Sequence, residues 1–201
     1  MRTNKILVLT ALVIAGPGIG LAQDDSLAES EAFARFTHNF ADLCYGFQDS
    51  AAADYYPDER WELSWNDEYS DQPRTTTLYK FFCGSGAYNV NHVYYLDTEF
   101  NGSMPVGFAA PTFDVVREND ELEAAVIEMP ITGYASQLML TNSEFNPETK
   151  TITSHALWRG IGDAFSAGTW SFHEGQFRLV RYDVDADYDG EIDPITLVGF
   201  K

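Results

Sequence analysis

Two hydrophobic periods divide the chain. Phe33, Phe36, Phe40 and Leu43 recur at spacings of three, four and three, which places one aromatic stripe on a single helix face. Ser26-Leu27-Ala28-Glu29, just ahead of it, has the form of a capping box. The stripe predicts a helix docked on a sheet, with His38 off the stripe and solvated. From about Trp61 the period changes to two. Thr75–Cys83, Val90–Leu96, Gln137–Leu140, Thr151–Trp158, Thr169–Phe172 and Phe177–Val184 read as strands. Asn101-Gly102, Glu174-Gly175 and Asp189-Gly190 suit tight turns, and Asn146-Pro147-Glu148-Thr149 a looser one. Residues 46–60 and 117–124 are polar and acidic and read as loops. Turns about ten residues apart predict a mainly β fold: an antiparallel meander closed as a barrel or sandwich, with one N-terminal amphipathic helix. Strands and helices do not alternate, which argues against a doubly wound sheet.

The first residues serve targeting. Arg2 and Lys5 form a basic n-region, residues 6–15 an apolar run, and Gly20-Leu21-Ala22 offers small residues before a cleavage after Ala22. The expected organisation is a signal peptide over 1–22, a helix and acidic loop over 23–60 and a β-rich domain over 61–201, in a periplasmic or secreted protein without membrane insertion after cleavage. Acids number 31 against 12 Lys+Arg in the 201 residues, a net −19. Loss of the signal peptide leaves 31 acids against 10 bases, a net −21. Such a surface repels phosphate backbones and excludes a general nucleic-acid binder. It suits a basic envelope protein as partner, whose approach the charge would steer.

The chain has two cysteines, Cys44 and Cys83. An oxidising compartment favours their pairing, and two buried free thiols are the alternative. Cys-x-x-Cys is absent, so neither a thioredoxin-type site nor a zinc knuckle is supported.

Few residues carry recognisable chemistry. Gly84-Ser85-Gly86 lacks the spacing of a nucleophile elbow and reads as a turn. His38, His92, His155 and His173 show no metal-ligand spacing, though His155 and His173 are candidates for a cross-strand pair. Arg159-Gly160-Ile161-Gly162-Asp163 has two readings: a tight bend closed by an Arg159–Asp163 pair, or a binding rim in which Arg159 meets an anion between Trp158 and Trp170. Asp185, Asp187 and Asp189, followed by Gly190, Glu191 and Asp193, resemble the first part of a calcium loop. Thr196 stands where such a loop ends in a bidentate acid, and Pro194 intervenes, so an EF-hand proper is excluded. The expected ligands are side-chain oxygens of Asp185, Asp187 and Asp189, the Glu191 carbonyl and Asp193; the alternative is a solvated acidic turn.

Cys83–Asn89 (Cys-Gly-Ser-Gly-Ala-Tyr-Asn), Arg159–Asp163 and the Trp170…Phe177 strand pair resemble the exported bacterial proteins catalogued as domain of unknown function 1176. The resemblance spans most of the chain beyond Trp61 and implies an exported β-rich protein with no established activity. Ala164 stands where members often carry a Cys, so a second, C-terminal disulfide is not expected. Tyr182–Asp193 is also similar to the calcium loop of some periplasmic inhibitors of lysozyme-like hydrolases. The leading expectation is a non-catalytic binding or structural module with a weak calcium loop. An inhibitor of a cationic envelope hydrolase, and a hydrolase with a site assembled across strands, are the alternatives. No catalytic residue is assigned.

Overall fold

The computed structural model describes residues 27–48, 50–119 and 121–200; the expected signal peptide and Ser26 lie outside them. The helix α1 spans Glu31–Asn39, and its cap is Ser30 rather than Ser26. The Ser30 Oγ accepts the Phe33 N–H at 3.1 Å, and a 3-10 turn over Leu27–Glu29 precedes it. A short helix α2, Ser50–Tyr55, occupies part of the stretch expected to be loop.

Fourteen strands follow among the described residues. The first sheet runs β1 (Glu59–Trp65), β2 (Arg74–Ser85), β3 (Val90–Thr98) and β4 (Gly102–Pro105), with β9 (Met139–Thr141) pairing the N-terminal half of β3. The second runs β10 (Glu144–Asn146), β11 (Thr151–Leu157), β12 (Phe165–His173), β13 (Gln176–Asp185) and β14 (Ile195–Gly199). Two hairpin pairs stand apart: β5 (Phe108–Phe113) with β8 (Ile131–Gln137), and β6 (Val116–Arg117) with β7 (Val126–Glu128). Every pairing is antiparallel. Among the described residues neither large sheet closes on itself, so the barrel expectation is corrected. Both sheets instead send side chains into one shared core, with Leu63, Leu78 and Tyr94 from the first and Ile152, Trp170 and Val184 from the second.

The first sheet is covered on both faces, so β2 and β3 bury consecutive residues as well as alternate ones. Leu78, Tyr94 and Leu96 face the shared core, while Tyr79, Phe81, Cys83, Val93 and Tyr95 face α1. Phe36 fills that second cluster, stacked on Phe81 at 4.8 Å and edge-on to Tyr95 at 6.5 Å. Leu43 is 67% exposed and leaves the expected stripe, because α1 ends at Asn39 before the spacing reaches it. The Cys44–Cys83 disulfide then fastens the segment after α1 to β2.

The β12–β13 hairpin turns at Glu174-Gly175, both with positive φ (49° and 82°), as a tight primed turn requires. Along β13 the inward positions change from Phe177 and Leu179 to Tyr182 and Val184. The extra residue is Val180, opposite the Thr169/Trp170 register shift, and its carbonyl accepts the Phe200 N–H at 2.9 Å.

Candidate functional site

Three segments far apart in sequence meet at one end of the second sheet. The first is the turn after β2. Gly84 belongs there because a Cβ would lie 2.6 Å from the Tyr45 ring. The Gly86 N–H closes the turn on the Asn89 carbonyl at 2.7 Å. Asn89 then binds β11 with its side chain, donating to the Leu157 carbonyl at 2.8 Å and accepting the Leu157 N–H at 3.2 Å. Asn142 holds a left-handed φ of 45° and reinforces the join, with Nδ2 donating to Asn89 Oδ1 and to the His155 carbonyl, each at 2.9 Å. Gly160 begins the second segment under the Tyr88 ring, where a Cβ would stand 3.3 Å away.

That second segment is the Arg159–Asp163 bend. The guanidinium donates from Nε to Asp163 Oδ1 at 2.6 Å and from Nη2 to Asp163 Oδ2. This is the paired bend; Arg159 is committed to a carboxylate rather than held open for an anion. The Arg159 hydrogen bond holds the Asp163 carboxyl well below the usual range, at about 2, with the Gly190 N–H also lowering it. The Gly190 bond, 2.9 Å from N to Asp163 Oδ2, carries the bend into the third segment, the acidic loop after β13. Gly190 has φ 92°, which permits the loop to present its N–H there without a Cβ penalty. Two guanidinium groups approach the Tyr188 ring, Arg159 at 5.0 Å and Arg117 at 5.7 Å, with Trp158 at 6.4 Å. Arg117 donates to the Ala124 and Ala186 carbonyls at 2.8 and 2.7 Å, so the β6–β7 hairpin is tied to the same loop.

Within the loop Asp185, Asp187 and Asp193 each place an oxygen within 4.8 Å of the others. Asp185 is 2% exposed and accepts the Asp193 N–H at 2.9 Å. Its pKa is raised chiefly by burial, with the charges of Asp193 and Asp187 adding to the effect and backbone hydrogen bonds opposing it. Asp187 accepts the Val126 N–H at 3.2 Å. The regular alternation of five ligands does not persist. Asp189 turns aside to accept the Glu191 N–H at 2.9 Å, and its side chain is not part of the cluster; the ligand expected from Glu191 is its carbonyl. Local Asx geometry captures Asp189 before it reaches the others.

Trp170 does not belong to the rim. It is fully buried in the shared core, with its Nε1 donating to the Ala109 carbonyl at 2.8 Å. Strand alternation leaves only one face of β12 for Trp170 and Phe172, and that face is the core. His155 and His173 do not face each other: His155 is opposite Ala167 and stacks on Phe165 at 4.3 Å, while His173 is opposite Gln176 beside the hairpin turn. The sequence reading also missed a polar cluster around Ser143. Its Oγ accepts from the Tyr94 hydroxyl at 3.1 Å and lies 3.0 Å from His92 Nδ1. Burial pushes the His92 imidazole down to about 3 and keeps it neutral. Ser143 is 2% exposed, so this Ser–His contact is a satisfied buried network rather than a presented nucleophile.

Comparison with known families matches residues 62–191 to the family described as "Protein of unknown function (DUF1176)". The chain belongs to this DUF1176 family. The match begins within β1 and ends at Glu191, so it includes the turn after β2, the Arg159–Asp163 bend and the acidic loop as far as Glu191, two residues short of Asp193. No curated protein and no solved structure matches the chain. No helix among the described residues is long and apolar enough to cross a membrane.

Proposed function

We propose that this DUF1176 protein is an exported, non-catalytic module whose converging face is held in shape by a divalent cation, Ca²⁺, at Asp185, Asp187 and Asp193. The observation that carries the reading is the buried Asp185 carboxylate, whose neighbouring side-chain charges are acids. Like charges so placed favour protonation or a cation. Calcium takes oxygen ligands at about 2.3–2.6 Å, so two ligands on opposite sides of one ion stand up to about 5 Å apart. Oxygens within 4.8 Å of one another fit that limit. Backbone carbonyls and water would complete the shell, and the absence of a bidentate closing acid suits an affinity of about 10⁻⁴–10⁻³ M.

The test is thermal melting with calcium, with magnesium and with chelator, repeated on Asp187→Asn/Asp193→Asn. Calcium at tenfold excess over its dissociation constant should add about 1.4 kcal/mol by mass action. Magnesium, which demands regular octahedral geometry, should add less. Equal effects of the two ions, or an undiminished response in the double variant, would remove the calcium reading.

A second reading is capture of a basic partner protein. Ile192 is 69% exposed between Glu191 and Asp193 in the acidic loop, and Ile161 is 72% exposed in the bend that Asp163 ties to that loop. Binding of a cationic lysozyme that weakens as salt rises would support it, and no inhibition of such an enzyme at low salt would remove it.

A further inference from the structure

At the far end of the β12–β13 hairpin, about 26 Å along the strands from the acidic loop, two cavities of about 500 and 710 Å³ adjoin. They share Trp65 and Pro73, so Trp65 stands between them as a common wall. The site is assembled from the end of β1, the start of β2, the β3–β4 turn and the β12–β13 turn. Both volumes lie in the range of small-molecule sites.

Trp65 is fixed in place. Its ring packs edge-on against Phe172 at 5.5 Å, and a Cβ at residue 175 would stand 3.3 Å from it, so Gly175 allows the hairpin turn to lie against the indole. Phe100, 86% exposed, adds a second aromatic surface at the outer edge of the larger cavity. The walls also carry uncharged polar groups: Ser64 and Asn66 in the smaller cavity, and Gln72 in the larger beside the Ser70 and Thr98 hydroxyls, which donate to the Gln72 and Gly102 carbonyls and keep acceptor capacity.

The cations in the walls are already engaged. Arg74 donates to Glu99 at 2.7 Å and to Asp67, and Lys150 Nζ donates to the Ser64 carbonyl at 2.5 Å. Glu99 and Glu174 pair with Arg74 and Arg178, and Asp97 accepts from the Tyr79 and Ser103 hydroxyls, so the acids of the walls already have protein partners. Two aromatic rings in walls that also carry neutral hydrogen-bonding groups match a polyhydroxylated chain whose rings have an apolar face and a polar edge. Sugar C–H groups meet the negative face of an indole, and hydroxyls supply both donors and acceptors.

We infer that this cleft binds a neutral oligosaccharide, with Trp65 and Phe100 as stacking platforms for successive sugar rings. This goes beyond the cation reading and uses none of its residues. The test is isothermal titration of the full protein with N-acetylchitotetraose, cellotetraose and maltotetraose, with tetraglycine as a peptide control. At least one tetrasaccharide should bind with a dissociation constant on the order of 1 mM or below. Trp65→Ala should weaken it at least about tenfold. Because Trp65 also packs on Phe172, Phe100→Ala serves as the second variant. Its ring is largely in solvent, so it should weaken binding with the melting temperature unchanged. Asp187→Asn/Asp193→Asn should bind the sugar as wild type does, which separates failure here from failure of the cation reading. No binding by any of the three sugars at about 10 mM, tighter binding of tetraglycine, or unchanged affinity in both Trp65→Ala and Phe100→Ala would overturn the inference.

Discussion

Removing the disulfide by Cys44→Ala/Cys83→Ala perturbs a link between the segment after α1 and β2 with little change in side-chain volume. The two cysteines are 39 residues apart and each is 2% exposed. In the loop-entropy account, closing about 39 residues restricts the unfolded chain by about 4 kcal/mol at 25 °C. Little of this is offset elsewhere, because the half-cystines sit inside the cluster formed by Phe36, Phe40, Phe81 and Tyr95 and the alanines leave the packing around them largely in place. For a chain of this size about 4 kcal/mol corresponds to a melting temperature lower by on the order of 10 °C. The assay is urea unfolding of wild type, of wild type with reductant, and of the double variant, followed by near-ultraviolet circular dichroism. Reduced wild type and the variant should fall together, with the slope against urea slightly raised because the unfolded chain is less confined. Equal midpoints for oxidised and reduced protein would refute the reasoning. Loss of signal from the shared core before the α1 cluster would also refute it, since the link acts on α1 and β2.

Phe36→Ala should cost about 3–5 kcal/mol, as a buried Phe removed from a well-packed cluster does, and should release α1 to proteolysis before the sheets. Gly168→Ala should cost about 1–3 kcal/mol or more, because its Cβ would stand 2.2 Å from the Trp170 ring; melting with the tryptophan near-ultraviolet band reports it. His92 is neutral in the fold, with its pKa lowered to about 3 by burial, while the unfolded chain protonates near 6.5. The unfolded state therefore binds more protons between those values, and stability is fully present above about pH 6.5 and falls as the pH drops through that window, by at most about 1.4 kcal/mol per pH unit. His92→Gln should flatten the slope relative to wild type between about pH 4 and 6 in urea midpoints, and an unchanged slope would place the proton elsewhere.

Much of the β framework was legible because it is local. Period-two runs marked β2, β3, β11 and β13, and Glu174-Gly175 marked the hairpin that both positive φ values complete. Export chemistry pointed to the Cys44–Cys83 pair, and Gly160 and Gly162 between Arg159 and Asp163 pointed to the closed bend. What was not legible depends on distant contacts. Asp163 meets Gly190 across 27 residues and Asn89 meets Leu157 across 68. No local pattern contains either pairing. Trp170 was misplaced because an aromatic residue on a strand does not reveal which face is the core until the facing sheet is known. Alternation in sequence suggests convergence in space, but the chain turns at Asp189 and sends its carboxylate back to the Glu191 N–H. The Trp65 cleft went unseen because separate turns build it, and none alone carries a binding pattern.

The claim that a hard divalent cation occupies the converging face is most directly tested by terbium luminescence. Tyr188 lies inside the acidic loop and Trp158 is 6.4 Å from its ring, so both are placed to sensitise an ion held by Asp185, Asp187 and Asp193. Excitation of the aromatic residues in the presence of Tb³⁺ should give saturable emission, displaced by calcium at about 10⁻⁴–10⁻³ M and lost in Asp187→Asn/Asp193→Asn. Emission no greater than that of the double variant, or emission that calcium does not displace, would contradict the account.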